Sequence, residues 1–529
     1  MCIRDRACAT PTLAGGLLTN TNQHVAFNRM MSREASIGID GVYYNPAGVV
    51  FMSEGHHLAI NWQLAFQTRT INNDYALFTN NVNNPITPRD FKGTAFAPVI
   101  PSFQYAYNKG KWSFQASFAL TGGGGKCTFD DGLGSFEKIV AETAIAACGL
   151  AGVVDQTLGN TLGQPGMEMF TSDQAFGKTG KYSFNSYMHG RQYYYGLSVG
   201  AAYKFCDNFS AFLGVRGVYA LTNYYGYVEN INVGNMPLYK VLDPTKESSA
   251  NIELSCDQSG VGFTPIIGVD YKTGRWNFSA KYEFKTRIRL KNKSVNQTPS
   301  IGNLPANLAN QMTGILTAKY QQAGLPLEQA KQQAENTTNA VLNDPTVGAT
   351  MMGLKTQFDQ KLNKAIGEYE DGKKIAGDIP AYLALGVGYS PVDAVRVNVG
   401  FHWFDDKNAT SYNNRNKELK RGTLEYNAGV EVDVNKKITL STGWQNTNYG
   451  LSDEYMDDKS FVVSSNSVAI GGVYHINKKM DLNVAYFHTF YQHKKTTETV
   501  QLTADRSLNY SSDYTRNNNV FAVGLDINF

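Results

Sequence analysis

The side chains able to do chemistry are few in kind and unusually placed. Lys281, Glu283, Lys285, Arg287 and Arg289 fall at alternate positions, so on an extended chain they share one face. Such a row can hold a carboxylate or phosphate, most strongly where water is excluded. Lys281, Lys285, Arg287 and Arg289 are therefore candidate contacts for an anionic head group. The row can equally be neutralised within a protein wall, because Glu425, Glu431 and Asp433 offer the matching parity in a later segment. Little else supports bond-making chemistry. There is no His-Glu-x-x-His, and Gly177-Lys178-Thr179 lacks the upstream glycine of a phosphate loop. His56 and His57 are adjacent on an extended chain and point to opposite sides, which separates them as metal ligands. Gly122–Gly125 followed by Lys126 reads either as an anion nest or as the root of a loop. No catalytic residue, metal or cofactor is expected.

The composition narrows what can position these groups. The chain has 529 residues, 48 Lys+Arg against 45 Asp+Glu, a formal charge of +3, and only 18% charged residues, below the roughly 25% of soluble domains. Tyr (31) and Phe (28) far outnumber Trp (5), and glycine contributes 50 residues. A mean hydropathy of -0.33, without a run of about 18 apolar residues, argues against membrane helices. Balanced charge without a basic run gives nucleic acid no footing. The cysteines form no framework. Cys2 and Cys8 lie in an N-terminal stub, and Cys127, Cys148, Cys206 and Cys256 show no Cys-x-x-Cys spacing. A Cys127–Cys148 disulfide and free thiols, Cys256 among them, both fit.

From residue 57 onward one pattern recurs: about ten residues alternating apolar and polar, then a turn. Leu58, Ile60, Trp62, Leu64 and Phe66 share a face opposite Asn61, Gln63 and Gln67. Tight turns such as Asn108-Lys109-Gly110 and Cys206-Asp207-Asn208 alternate with long loops, and aromatic pairs such as Tyr107/Trp112 and Tyr271/Trp276 flank the tight ones. The count reaches about fourteen strands, an even number as in single-chain outer-membrane barrels. In hydrocarbon every backbone N–H and C=O must be paired internally, and a closed sheet achieves that. The expected architecture is an all-β transmembrane antiparallel barrel over 57–529, in the bacterial outer membrane, with long outer loops near 122–190 and 291–378. Both loops contain helical, apolar stretches. Ile139, Val140, Ile145 and Leu150 in the first, and Leu325 and Leu327 in the second, either pack as a lid or contact an apolar ligand.

Residues 1–14 read as the remnant of a secretory signal, or a mis-called start, with a small-residue cleavage site between Ala14 and Gly15. Residues 15–56 do not alternate. They are too apolar for a disordered tail and too few for an independent domain, so they must lean on the barrel, most simply by plugging it. Gly41-Val-Tyr-Tyr-Asn45-Pro46-Ala47-Gly48, just before the first strand, resembles the hatch signature of FadL-type outer-membrane fatty-acid transporters. The resemblance spans hatch, barrel, long loops and terminal Phe529. It implies passive uptake of long-chain fatty acids or other hydrophobic molecules, a hatch built on Asn45, Pro46, Ala47 and Gly48, and lateral exit where the third strand kinks. The third strand, read as Lys111–Thr121, holds no internal Gly or Pro, so the nearby Pro98, Pro101, Gly122 and Gly123 become the candidates for that opening, alongside simple strand ends. Implied partners are the hydrophobic ligand, membrane lipid, lipopolysaccharide and the barrel assembly machinery acting on a monomer. A surface adhesin or a general porin would share much of this pattern.

Overall fold

The computed structural model describes residues 23–503 and 505–529; the segment 1–14, the start of the plug, Cys2 and Cys8 lie outside them. The wall is one closed antiparallel sheet of fourteen strands. The first six are β1 (Gly55–Tyr75), β2 (Arg89–Lys109), β3 (Trp112–Phe129), β4 (Tyr182–Cys206), β5 (Phe209–Val233) and β6 (Ile252–Thr273). Two interrupted strands follow, β7 (Trp276–Glu283, resuming as Arg289–Ser294) and β8 (Lys374–Ala376, resuming as Tyr382–Val392). Then come β9 (Val395–Phe404), β10 (Thr423–Asn435), β11 (Ile438–Asn448) and β12 (Ser465–Asn477). The last two are β13 (Met480–Tyr491, resuming as Lys494–Thr503) and β14 (Arg506–Asn528). β1 pairs with β14 from His57–Asn528 to Tyr75–Tyr510, which leaves the sheet no edge.

Period-two patterning sets the two faces. Phe263 is 70% exposed while Thr264 beside it is 3% exposed, and Ile60, Trp62 and Phe66 face outward while Ala59, Asn61 and Gln63 are buried. The wall is therefore greasy outside and polar inside, the reverse of a soluble sandwich. Tight turns gather at one end, where Gly110 and Gly274 adopt positive φ. Aromatic residues stand beside them on the outer wall, with Trp112 against Tyr203 and Trp276 against Tyr389.

Three segments depart from the sequence reading. The third strand runs to Phe129, so Gly122–Gly125 lies inside it rather than at a loop root, and the first long loop is confined to 130–181. The second long loop is 295–373 for the same reason, because β7 resumes to Ser294 and β8 begins at Lys374. β7 also changes parity. Between the pairs Ile266–Glu283 and Ser259–Lys291 it advances eight residues while β6 advances seven. A one-residue bulge of this kind turns every later side chain to the other face. All four described cysteines of the wall and loops, Cys127, Cys148, Cys206 and Cys256, are free thiols.

Two bodies fill the lumen. Near the tight turns lies the segment 23–53, with α1 (Val25–Met30), α2 (Gly41–Tyr44) and a 3-10 turn (Gly48–Phe51). At the far end the loops fold into a cap of α3 (Gly134–Leu162), α4 (Tyr239–Leu242), α5 (Leu304–Gln322), α6 (Leu327–Leu342) and α7 (Pro345–Ile366). α3 is apolar enough to cross a membrane by length and composition, yet its Val140, Ala144, Ala151, Val154 and Leu158 are buried in the cap cluster.

Candidate functional site

The plug is seated by hydrogen bonds and ion pairs to the polar inner wall. His24 caps α1 by accepting from the Ala26 N–H and meets Asp526 of β14 at 3.1 Å. Arg29 donates to Asn483 (3.2 Å) and Ser441 (3.0 Å) and pairs with Glu431. Arg33 bonds Asp40 at 2.7 and 3.1 Å and sits 3.1 Å from the same Glu431. Glu34 reaches His402 at 2.7 Å, and His402 reaches Glu425 at 2.9 Å. A buried charge is tolerable only when paired, so the plug's Arg29, Arg33 and Glu34 are held by the wall acids and by His402 that answer them. Of the expected partners of the cationic row, Glu431 meets Arg29 and Arg33 of the plug as well as Arg396 of β9, Asp433 pairs with Arg396, and Glu425 with His402 of β9.

The Asn45–Gly48 motif forms the opposite anchor. Asn45 donates to Asp270 of β6 (2.6 Å) and accepts from the Gly48 N–H (3.1 Å). The Pro46 carbonyl accepts from Gln115 of β3, and the Ala47 carbonyl from Ser210 of β5, both at 2.7 Å. A side chain at Gly48 would strike the Asn45 amide. Inward glycines make room on the other side. A Cβ at Gly429 or Gly443 would collide with the Met30 carbonyl, at Gly386 with Glu34, at Gly471 with Arg29, and at Gly524 would press on Val25. Sequence reasoning missed this belt, although glycine recurring at inward parity in β8, β10, β11, β12 and β14 was visible.

Between β2 and β3 the wall is broken at mid-height. The β2–β3 ladder pairs Ala95 with Cys127 and next pairs Ser102 with Ala119, leaving 96–101 and 120–126 without mutual pairing. Pro98 and Pro101 supply no N–H here, and β3 bulges on its β4 side on both sides of Gly123, whose φ of +76° no other residue adopts readily. All four expected opening residues, Pro98, Pro101, Gly122 and Gly123, thus fall in one place. The carbonyls freed by the break are capped from both sides: Trp62 donates to Pro98 from outside (2.9 Å), and Gln23 of the plug donates to Leu120 from inside (2.6 Å). Gln23 is itself held through its carbonyl by Ser102 and Gln104, both at 2.7 Å.

In the cap, α3, α4, α5 and α7 with the 169–176 segment line an apolar pocket, part of it open to solvent. Leu150, Val154, Phe170, Leu304, Leu308 and Phe358 line it, with the Lys361–Glu142 ion pair (2.6 Å) as a polar spot. Of the six expected apolar contacts, Leu150 lines the pocket, and Val140 and Ile145 belong to the surrounding cluster. Ile139 is half-buried on another face of α3, and Leu325 and Leu327 stand at the α5–α6 tip, away from it, Leu327 exposed.

The expected head-group cations do not come together. Lys281 is buried, donates to the Tyr43 carbonyl (2.6 Å) and pairs with Glu283 (3.0 Å), which is bidentate to Arg216. After the bulge, Lys285 and Arg289 turn to Asp378, and Arg287, Arg289, Lys291 and Lys293 face outward. The one-residue slip is the reason the row divides. His56 and His57 do point apart: His57 is buried against Asn528 and Ser53, and His56 stacks outside on Tyr107 and Phe529. Gly196-Leu-Ser198-Val-Gly200 has the spacing of a hydrolase nucleophile elbow, but it lies mid-strand in β4 with Ser198 accepting from Arg216, not at a strand-to-helix turn.

No protein-family model matches the sequence, and no curated protein matches it. Solved structures do share the architecture. A Pseudomonas aeruginosa FadL homologue superposes with a TM-score of 0.58 at 13% identity, covering 97% of this chain and 100% of that one. A TodX deletion mutant, described as a monoaromatic hydrocarbon channel, gives 0.52 at 12% identity, covering 96% and 98%. A fourteen-stranded wall, a folded N-terminal segment inside it and a helical cap above together make this a FadL-type fold.

Proposed function

We propose that the chain spans a bacterial outer membrane as a monomer and passes hydrophobic molecules, long-chain fatty acids first among them, without an energy source. The observation that carries this reading is the break between β2 and β3. It lies at the height of Trp62, Phe66 and Phe96, exposed apolar residues that would meet acyl chains, so an opening there leads into lipid. Residues 15–56 then act as the hatch and 57–529 as the wall. A solute taken up by the cap pocket finds the way down closed by the plug and leaves sideways. That route spares an alkyl chain re-exposure to water, at roughly 0.8 kcal/mol per CH₂. Gln23 is the latch, because its withdrawal frees the Leu120 carbonyl inside the kink. The outward Arg287, Lys291 and Lys293 would meet lipopolysaccharide phosphates at the outer rim. The solved structures of like fold, a FadL homologue and a hydrocarbon channel, support the ligand class.

A staple tests it. A Cβ at Gly125 would lie 3.7 Å from that of Ala97, within disulfide range. In a Cys127→Ser background, oxidised Ala97→Cys/Gly125→Cys protein is expected to lose uptake of labelled oleate and recover it on reduction. Undiminished uptake with the staple formed would rule out exit at this break. Large ion conductance in planar bilayers would favour a porin instead.

A further inference from the structure

Between the plug and the cap the lumen holds two cations that no acidic side chain among the described residues neutralises. Arg69 of β1 and Arg516 of β14 are direct cross-strand partners, both on the inward parity. Like charges directly opposite one another destabilise a sheet. Elsewhere in this lumen arginines are matched: Arg29 and Arg33 by Glu431, Arg216 by Glu283, Arg396 by Asp433. Here the contacts are neutral. Arg69 Nε (3.0 Å) and Arg516 Nη2 (2.8 Å) share one acceptor, Gln67 Oε1, while Arg516 Nη1 reaches the Phe461 carbonyl at 3.4 Å and its guanidinium lies over Tyr491. Arg516 Nε is buried without an acceptor. Among the described residues neither guanidinium has an ion-pair partner.

Beyond the polar Gln67–Asn518 rung, apolar side chains lie on either side. Above the pair lie Ile71, Phe461 and Tyr514, and below it Val520, Phe487 and the plug's Phe27 and Tyr44. Arg69 stands opposite Gly93 of β2, two residues along from Ala95, where the β2–β3 ladder breaks. At about 3.3 Å per residue, the pair is roughly 7 to 10 Å from the break. Two guanidinium groups without an anion among the described residues, close to the break in the β2–β3 ladder, form a site with one missing component.

We infer that Arg69 and Arg516 bind the carboxylate of an anionic amphiphile inside the lumen, with its apolar chain directed at the β2–β3 break. This rests on the uptake reading above and adds its selectivity: the site prefers acids to neutral molecules of equal length. The ten N–H donors of two guanidinium groups suit a carboxylate's two oxygens, and the aromatic walls suit a chain.

Equilibrium dialysis of the full chain in non-ionic detergent at pH 8 tests this, with labelled dodecanoate and labelled 1-dodecanol. Dodecanoate is expected to bind about tenfold tighter or better, the equivalent of one charge-assisted hydrogen-bonded pair. Arg69→Gln/Arg516→Gln is expected to bring the ratio to within about twofold. Single Arg69→Gln serves if the double variant assembles poorly, and a cooperative barrel melt by circular dichroism checks folding. Acetate, which has the head but not the chain, is expected not to displace dodecanoate at equal concentration. Equal binding of acid and alcohol by the wild type, an unchanged ratio in the variants, or displacement by acetate would each overturn the inference while leaving hydrophobic uptake standing. If neither probe binds, both readings fall.

Discussion

The two halves of this lumen are built on opposite rules. Around the plug, charge meets charge at hydrogen-bond distance, glycines admit the plug's backbone, and the Asn45–Gly48 turn is bonded to three strands. Toward the cap, the wall is unpaired over a stretch between β2 and β3, two arginines have no anion among the described residues, and the helices line an apolar pocket rather than filling it. Complementarity that complete fixes one arrangement; incompleteness in the other half leaves work for a solute. A closed lower half and a receptive upper half are what separate a carrier of greasy molecules from an open pore.

The largest effect is expected from forcing the lower half apart. Gly443→Val places a side chain where the Met30 carbonyl sits, so the plug loses its seat. Trypsin, which cannot reach the buried Arg29 and Arg33, should then cut there, and ion conductance should rise. Intact plug after prolonged digestion would contradict the tight-fit account. Next in size is Glu431→Gln, which leaves Arg29 and Arg33 buried with their shared anion gone; a loss of about 3–5 kcal/mol in barrel unfolding is expected. In the upper half, Leu150→Trp should fill the cap pocket and weaken dodecanol binding, while costing stability only about 1–3 kcal/mol by overpacking. The smallest effect is one of pH. Burial, with Asp457 adjacent, pushes the Asp458 carboxyl up to about 6, and Glu368, buried with both oxygens unpartnered, moves in the same direction. A carboxyl raised above its unfolded value of about 3.9 holds its proton more tightly in the folded state, so the cap gains stability as pH falls through 6 and loses it above. Asp458 accepts from the Ser135 N–H at the start of α3, so the protection of amides there, relative to their intrinsic exchange rate at each pH, should rise between pH 7 and pH 5, and Asp458→Asn should remove that rise.

Much of the wall was legible because period two is a local signal: Leu58 through Phe66 declare their face without knowledge of any neighbour. The plug was legible from composition and from Asn45-Pro46-Ala47-Gly48. What escaped depends on register or closure. One extra residue between Glu283 and Lys291 divided a cationic row that looked continuous. Gly122–Gly125 looked like a loop because four glycines carry no alternation, yet β4 holds them in the sheet from one side. Arg69 and Arg516 are 447 positions apart in the numbering, and only the β1–β14 seam sets them face to face. The pocket residues Leu304, Leu308 and Phe358 come from separate helices whose packing no single stretch encodes.

The glycine belt also carries a consequence for manufacture. The plug enters β1 directly at Gly55, while the strands whose glycines and acids receive it, β8 to β14, are made last. Wrapped without its mandrel, the sheet would bring Glu431 into the bore without Arg29 and Arg33, and the His402–Glu425 pair without Glu34. The leader is thus the former around which the cylinder is wound, and sealing the seam doubles as inspection: a tube missing its insert is a costly product rather than a spare pore.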